Sequence, residues 1–138
     1  MKPFIQCIVV AVLVTAGLVQ AADLTVQVAG LKNANGKVML AVYGRAEEFL
    51  KQPMRVTAVD AQPGKVQLIL RDLPVGDYAV SIFHDENGNG ELDTNAAGMP
   101  IEPYGFSNDA AGNYGPPSFK QSVLHLPAAG STVTINLR

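Results

Sequence analysis

The sequence has 138 residues, with 10 Lys and Arg against 12 Asp and Glu, which gives a formal net charge of −2. A chain of this length can bury one hydrophobic core, so we expect a single domain. The charge balance is mildly acidic and the basic residues do not cluster. We therefore expect neither nucleic acid nor an anionic membrane surface as a partner.

The first 21 residues predict a secretory signal peptide. Lys2 gives a positive start, residues 4–19 are apolar, and Val19-Gln20-Ala21 ends the segment with a cleavage pattern. We divide the chain into this signal peptide, residues 1–21, and one domain, residues 22–138, and expect a periplasmic or secreted protein without membrane insertion after cleavage. A retained membrane anchor is the alternative, although a spanning helix needs about 20 apolar residues. Cys7, the single cysteine, lies within this segment, so no disulfide is expected in the domain.

Alternating apolar and polar residues predict β-strands along most of the domain. In the first strand Leu24, Val26 and Val28 share one face. Seven strands are predicted, over residues 24–28, 38–42, 55–59, 66–70, 78–82, 122–126 and 132–137. Residues 45–52 favour a short helical turn that Pro53 ends. The pattern is typical of an all-β, seven-stranded antiparallel Greek-key β-sandwich of immunoglobulin or prealbumin type.

The residues that lead into the fifth predicted strand form a recognisable motif. Leu73-Pro74-Val75-Gly76-Asp77-Tyr78 sets the chain direction with Pro and Gly and then presents a tyrosine. We expect the ring of Tyr78 to pack and its hydroxyl to bond to nearby main chain, as in the tyrosine corner of Greek-key sandwiches.

Residues 86–120 interrupt the alternation and predict one long loop. Loops of this length are usually functional or disordered. Aromatic residues can hold such a loop to the domain surface, which argues for order. This loop contains four: Tyr104, Phe106, Tyr114 and Phe119.

The loop starts with a pattern typical of calcium sites. Oxygen donors recur at every second position from 1 to 9, and Gly90 at position 6 permits a sharp turn. The donors are Asp85, Asn87, Asn89, Glu91 (through its main-chain carbonyl) and Asp93. The sequence therefore predicts a bound calcium ion. A metal-free hairpin tip is the competing interpretation, because the turn-forming pair Asn-Gly occurs twice, at 87–88 and 89–90.

The coordination shell needs one more donor. A helical EF-hand has a bidentate Glu at position 12, which is Ala96 here, so a later carboxylate has to take that role. Glu102 is our first candidate, ahead of Asp109, and Glu86 is expected to face solvent. With two or three carboxylates, calcium affinity should be on the order of 10⁻⁴ to 10⁻³ M, and magnesium is less suited because it demands a tight octahedron.

A second candidate site is a pocket between the stretch Asp85–Asp93, which we call the ion loop, and residues 98–119. Aromatic faces there suit a sugar or another flat ligand. Its expected lining is His84, Tyr104, Phe106, Ser107, Asn108 and Phe119. The alternative is that these aromatic residues only anchor the loop. Neither His84 nor His125 has the sequence spacing of a catalytic triad or a histidine metal site, so we predict no catalytic residues.

These motifs resemble a family of exported bacterial proteins that is known only as a conserved domain of unknown function. The matching segments are Leu73-Pro-x-Gly-x-Tyr78, His84–Asp93, Gly98–Asn108 and Gly115–Phe119. The resemblance implies a prealbumin-like sandwich and supplies no activity. The loop is also similar to calcium-bearing B-type repeats of bacterial surface adhesins, which favours calcium at the same donors. Transthyretin-like hydrolases share a related sandwich, but their C-terminal Tyr-Arg-Gly-Ser signature is absent here.

We therefore expect a non-catalytic binding or accessory module with a calcium-organised loop. Its partner would be an unknown small molecule or an envelope protein. Two alternatives stay open: an enzyme or carbohydrate-like binder that uses the second site, and a structural envelope or adhesion module.

Overall fold

The computed structural model describes residues 17–138, so most of the predicted signal peptide, residues 1–21, lies outside the described residues. The strands are β1 Ala21–Leu31, β2 Lys37–Tyr43, β3 Arg55–Asp60, β4 Gly64–Pro74, β5 Gly76–Asp85, β6 Tyr104–Phe106, β7 Leu124–Leu126 and β8 Ser131–Asn136. The helical segments are two 3₁₀ turns, Ala46–Glu48 and Ser107–Asp109, and one short α-helix, α1, Phe119–Ser122. Over the described residues, no helix combines the length and apolar character that crossing a membrane requires.

The strands form two sheets, which confirms the predicted all-β class. The smaller sheet has the order β4-β1-β8. The larger has the order β3-β2-β5-β6, and β7 pairs with the start of β5. The inward sides of both sheets form one core, to which β1 contributes the fully buried Leu24, Val26 and Val28.

The predicted number of seven strands and their wholly antiparallel pairing differ from the structure. The Greek-key connection stays a prediction. The described residues contain an eighth strand, β6, within the segment predicted as a loop. It pairs with only three residues of β5, Ser81–Phe83. A strand this short shows no recognisable alternation of apolar and polar residues. In addition, β1 and β8 are parallel neighbours, because β8 returns to the smaller sheet in the direction of β1.

The predicted sixth strand begins later than expected. Residues Phe119–Ser122 form α1, and only Leu124–Leu126 is a strand. The hydroxyl of Ser118 accepts from the main-chain N–H of Gln121, whose side chain in turn accepts from the main-chain N–H of Ser118. This capping box stabilises the first turn of a helix. The predicted helical turn over 45–52 is present in shorter form, as Ala46–Glu48.

The predicted tyrosine corner is confirmed. Tyr78 is 5% exposed, and its hydroxyl donates to the carbonyl oxygen of Pro74. The bond ties β5 to the end of β4, the strand that precedes it. Burial raises the pKa of the Tyr78 hydroxyl above its ordinary value, and Arg55 opposes this effect more weakly.

Replacing Tyr78 with Phe keeps the ring and removes the hydroxyl. We expect Tyr78→Phe to lower the free energy of unfolding at neutral pH by about 1 kcal/mol, the usual net value of one hydrogen bond. Because the pKa is raised in the folded state, the hydroxyl's contribution is complete below the unfolded pKa of about 10 and is lost as pH rises above it. Urea denaturation from neutral pH to about pH 11 should therefore show a shallower alkaline loss in the variant. Equal alkaline slopes for both proteins would contradict this role of Tyr78.

Candidate functional site

The candidate ion loop starts where β5, in the interior of the larger sheet, ends. His84 and Asp85 are the last two residues of β5, and both are buried, at 0% and 2% exposure. Neighbouring residues of a strand point to opposite faces. His84 therefore joins the core side, and Asp85 lies on the opposite face of the sheet.

Asp85 has one engaged and one unengaged carboxylate oxygen. Its Oδ2 accepts from the main-chain N–H of Gly90 at 2.8 Å, which joins positions 1 and 6 of the loop. Its Oδ1 is buried and has no hydrogen-bond partner among the described residues. A buried carboxylate oxygen without a partner is costly, and a cation in contact with it would remove that cost.

The other predicted donors of side-chain oxygen converge on Asp93. The side-chain amide of Asn87 donates to Asp93 Oδ2, and that of Asn89 donates to Asp93 Oδ1 at 2.8 Å. The two amide oxygens accept from main-chain N–H groups two residues further on, from Asn89 at 3.2 Å and from Glu91 at 3.0 Å. An amide oxygen has two lone pairs, so each can also face a cation. The structure thus brings positions 3, 5 and 9 into one cluster.

Glu102 also reaches the loop, but it contacts main chain. Its side chain is buried, with the residue 8% exposed. Oε1 accepts from the N–H of Glu86 and Oε2 from the N–H of Asp93, both at 3.0 Å. Glu102 therefore fastens the second and the ninth position of the loop to each other. The weaker candidate, Asp109, lies elsewhere and accepts from the main chain and side chain of Asn136 in β8.

A second turn contacts the residues at the start of the ion loop. Sequence patterns provided no reason to connect this turn to the site. This support turn, Asn33–Gly36, links β1 and β2. The carbonyl oxygen of Asn35 lies 2.6 Å from Nε2 of His84. A carbonyl can only accept, so Nε2 carries a proton, and the buried Nδ1 has no hydrogen-bond partner among the described residues.

Two further contacts hold the support turn to the loop. Asn33 donates to Oε2 of Glu86 at 3.3 Å, so Glu86 is half-buried and does not simply face solvent as expected. Gly36 has φ +64, and a Cβ built there would overlap the carbonyl oxygen of Asp85. No local pattern could have revealed these contacts, since the partners are about 50 residues apart in sequence.

The residues predicted to line the second site fall into separate surroundings. Phe83 pairs with Tyr104 across β5 and β6, so His84 points to the opposite face of the sheet from Tyr104. The Phe106 and Phe119 rings pack edge-on against Phe49, with centroids 6.3 and 5.9 Å away. These aromatic residues thus form a small second core, together with Tyr43 and Ala79.

The Gly-Phe-Ser-Asn segment fastens the long loop to the domain. The Ser107 hydroxyl is fully buried, accepts from Val80 N–H at 2.9 Å and donates to the carbonyl of Ser122. The side-chain amide of Asn108 donates to two carbonyls at the end of α1 and just after it. A Cβ at Gly105 would lie 2.8 Å from the carbonyl oxygen of Asn136. Only glycine allows this close approach of β6 to β8.

The cavity found near the second site is small. It measures about 90 Å³ and lies among Tyr104, Phe106, Pro117 and Arg138. Pockets for drug-sized ligands usually measure about 300–1,000 Å³. A shallow depression of about 520 Å³ lies at the opposite end of the sandwich from the ion loop, between the starts of β1 and β8. A ligand pocket beside the ion loop stays a prediction.

The ion loop has too few clustered acidic residues and histidines to form a metal site from these residue types alone. In residues 17–138 no group of three or more His, Cys, Asp or Glu side chains is placed to hold a metal. The loop combines the carboxylates of Asp85 and Asp93 with amide and carbonyl oxygens. Calcium accepts such neutral oxygens in sites of six to eight ligands, so the donor set fits calcium better than zinc or another transition metal.

Comparison with known proteins places the chain in a family. No curated protein and no solved structure matches it. The family match covers residues 26–135, from β1 to β8, and includes the ion loop, the support turn and the Gly-Phe-Ser-Asn segment. It confirms the predicted membership of a bacterial family of unknown function, while the likeness to prealbumin and to adhesin repeats stays a prediction. The chain belongs to the family described as "Uncharacterized protein conserved in bacteria (DUF2141)".

Proposed function

We propose that this protein is an exported, non-catalytic binding or accessory module whose loop Asp85–Asp93 binds one calcium ion. The observation that carries the proposal is the carboxylate of Asp85. One of its oxygens is held by Gly90 inside the loop, while the other is buried and has no hydrogen-bond partner within residues 17–138. A divalent cation is the simplest group that would satisfy a buried anionic oxygen at the mouth of an oxygen-rich loop.

The residues that would hold the ion are Asp85, Asn87, Asn89 and Asp93 through side chains and Glu91 through its carbonyl. Glu102 would act mainly through the main chain of the loop, because both its oxygens already accept from N–H groups. When bound, calcium supplies two positive charges to a cluster that otherwise has two carboxylates. The ion would then satisfy the carboxylate of Asp93 together with the two Asn side chains that donate to it.

Order in the loop would extend into the segment that follows it. The carbonyl of Asp93 accepts from Ile101 N–H at 2.9 Å, and the carbonyl of Pro103 accepts from His84 N–H at 2.8 Å. Thr94 and Pro100 form a β-bridge between these contacts. The ion would therefore fix the path of residues 94–103, which display the exposed side chains of Met99 and Ile101.

A non-catalytic role fits the state of the histidine nearest the loop. His84 is fully buried, and its proton-bearing nitrogen is bonded to a main-chain carbonyl. A substrate would reach this ring only through opening of the support turn. For this reason we propose binding or assembly, rather than proton transfer, as the function of this end of the domain.

Calorimetry with calcium chloride tests the proposal. After treatment with a chelator, the wild-type protein should bind one calcium ion with a dissociation constant on the order of 10⁻⁴ to 10⁻³ M, and magnesium should bind more weakly. Asp85→Ala should abolish the binding heat, since it removes the unpartnered oxygen. The matched control is Glu91→Gln, which changes an exposed side chain in the same loop and keeps the carbonyl donor. Absence of binding in the wild-type protein at about 10 mM calcium, well above the expected constant, would overturn the proposal.

A further inference from the structure

The ion loop contains two Asn-Gly pairs, and the structure distinguishes them. In an Asn-Gly sequence the main-chain nitrogen of the glycine can attack the side-chain amide carbon of the asparagine. Glycine favours this reaction because it has no side chain to hinder the approach. The two pairs, Asn87-Gly88 and Asn89-Gly90, lie in the same exposed turn. A difference between their reaction rates would therefore reflect the local structure around each pair.

The asparagine side chains of the two pairs are held in the same way. Each amide oxygen accepts from the N–H two residues further on, and each amide nitrogen donates to one oxygen of Asp93. Neither side chain is therefore better placed than the other by its own hydrogen bonds.

The attacking nitrogens differ. Gly90 N donates to the buried carboxylate of Asp85 at 2.8 Å, whereas Gly88 N has no hydrogen-bond partner among the described residues. A hydrogen bond to a carboxylate holds the proton on the glycine nitrogen and fixes the direction of the N–H group. Neither glycine has an atom of the described residues within 4 Å of the position that a Cβ would occupy, so free space does not distinguish the two pairs.

We propose that Asn87 is a site of spontaneous deamidation and that the bond between Gly90 and Asp85 protects Asn89. The nitrogen of Gly88 forms a bond to Cγ of Asn87, the bond from Cγ to Nδ2 breaks, and ammonia leaves with the proton of the main-chain nitrogen. Water then opens the resulting five-membered imide at one of its two carbonyls. The products are aspartate, with the normal main chain, or isoaspartate, whose main chain runs through Cγ.

The two products change the ion loop in opposite directions, a consequence that rests on the proposed function. Aspartate at 87 replaces a neutral donor at position 3 with a carboxylate, and more ligand charge raises calcium affinity. Isoaspartate adds one carbon to the main chain and leaves its free carboxylate directly on Cα, so positions 5 to 9 lose their register with Asp85. A loop of this design would change its calcium affinity as the protein ages.

The third Asn-Gly pair, Asn35-Gly36, should react slowly. Its peptide is fixed on one side by His84, which bonds to the carbonyl of Asn35, and on the other by Gly36, which lies against the carbonyl of Asp85. Rotation of this peptide toward the Asn35 side chain would break both contacts.

Peptide mapping by mass spectrometry tests the proposal without relying on calcium. The folded protein is incubated with a chelator at mildly alkaline pH, and the conversion of each asparagine is followed over time. Conversion at Asn87 should be roughly tenfold faster than at Asn89, as expected for the loss of one hydrogen bond to a charged group. Asp85→Ala, which frees Gly90 N, should bring Asn89 close to the rate of Asn87. The matched control Gly88→Ala should slow Asn87 alone.

Equal rates at Asn87 and Asn89 in the wild-type protein would overturn the proposal, as would faster conversion at Asn89. Repeating the incubation with calcium tests only whether a bound ion changes the rate of conversion at Asn87. Slower conversion at Asn87 supports a calcium-bound loop, and an unchanged rate argues against calcium while leaving the order of the two sites intact.

Discussion

Gly36→Ala should be among the most damaging single substitutions in the described part of the chain. The position has φ +64, where a Cβ costs about 1–2 kcal/mol, and overpacking usually adds about 1–3 kcal/mol. The added methyl would overlap the carbonyl oxygen of Asp85 and push the support turn away from the end of β5. We expect the free energy of unfolding, measured with urea, to fall by about 2–5 kcal/mol.

Gly98→Ala is the matched control for this prediction. Gly98 also has a positive φ, +78, but no atom in the described part of the chain lies within 4 Å of the place that a Cβ would take. It should show only the backbone cost, about 1–2 kcal/mol. If both variants lost the same stability, the contact between the support turn and Asp85 would not be the cause. Two-dimensional NMR of Gly36→Ala should also show shifted amides for His84 and Glu86, which the control should leave in place.

Glu102→Gln should loosen the ion loop even without calcium. Glutamine keeps one acceptor but turns an NH₂ group toward one of the two N–H groups that Glu102 accepts from. A hydrogen bond to a charged group contributes about 1.5–3 kcal/mol, so we expect the amides of Glu86 and Asp93 to exchange with solvent more than about tenfold faster. Calcium affinity should fall by a similar factor, because the loop must then be ordered when the ion binds.

The amide exchange separates a positioning role from a ligand role for Glu102. If Glu102 only coordinated the ion, the metal-free variant would exchange these two amides at wild-type rates while calcium affinity still fell. Glu91→Gln again serves as the control, since it makes the same chemical change at an exposed position in the same loop.

The class of the fold and the position of the ion loop could be read from local patterns. Alternation in residues such as Leu24, Val26 and Val28 reports burial on one face of a strand, and all three are fully buried. The Asp-x-Asn-x-Asn-Gly spacing likewise brings Asn87 and Asn89 to Asp93 in the structure. Both signals depend on residues that are close together in sequence.

Features that depend on distant residues could not be read in this way. The parallel pairing of β1 with β8 joins strands about 100 residues apart, and alternation alone carries no information about direction. Contacts between the support turn and His84 or Glu86 have no sequence signature. The capping box of α1 is different, because the Ser-x-x-Gln pattern at Ser118 and Gln121 is local and would have predicted this helix.

The Gly-Phe-Ser-Asn segment shows how the same residues can indicate two different roles. Aromatic and polar side chains beside an ion loop suggested a ligand pocket. In the structure Phe106 packs against Phe49, and Ser107 and Asn108 bond to main chain around α1. Side-chain type alone does not separate a binding surface from an anchor. That distinction depends on what lies opposite each side chain.

The most direct measurement for a calcium-organised loop is diffraction from crystals grown in excess calcium chloride. We predict one strong peak at the end of β5, with oxygen atoms of Asp85, Asp93 and Glu91 about 2.3–2.6 Å from it. The carboxylate of Asp85 should keep its bond to Gly90 and direct its second oxygen at the ion. Density no stronger than water at that place, with Asp85 Oδ1 satisfied by a protein donor, would contradict the account.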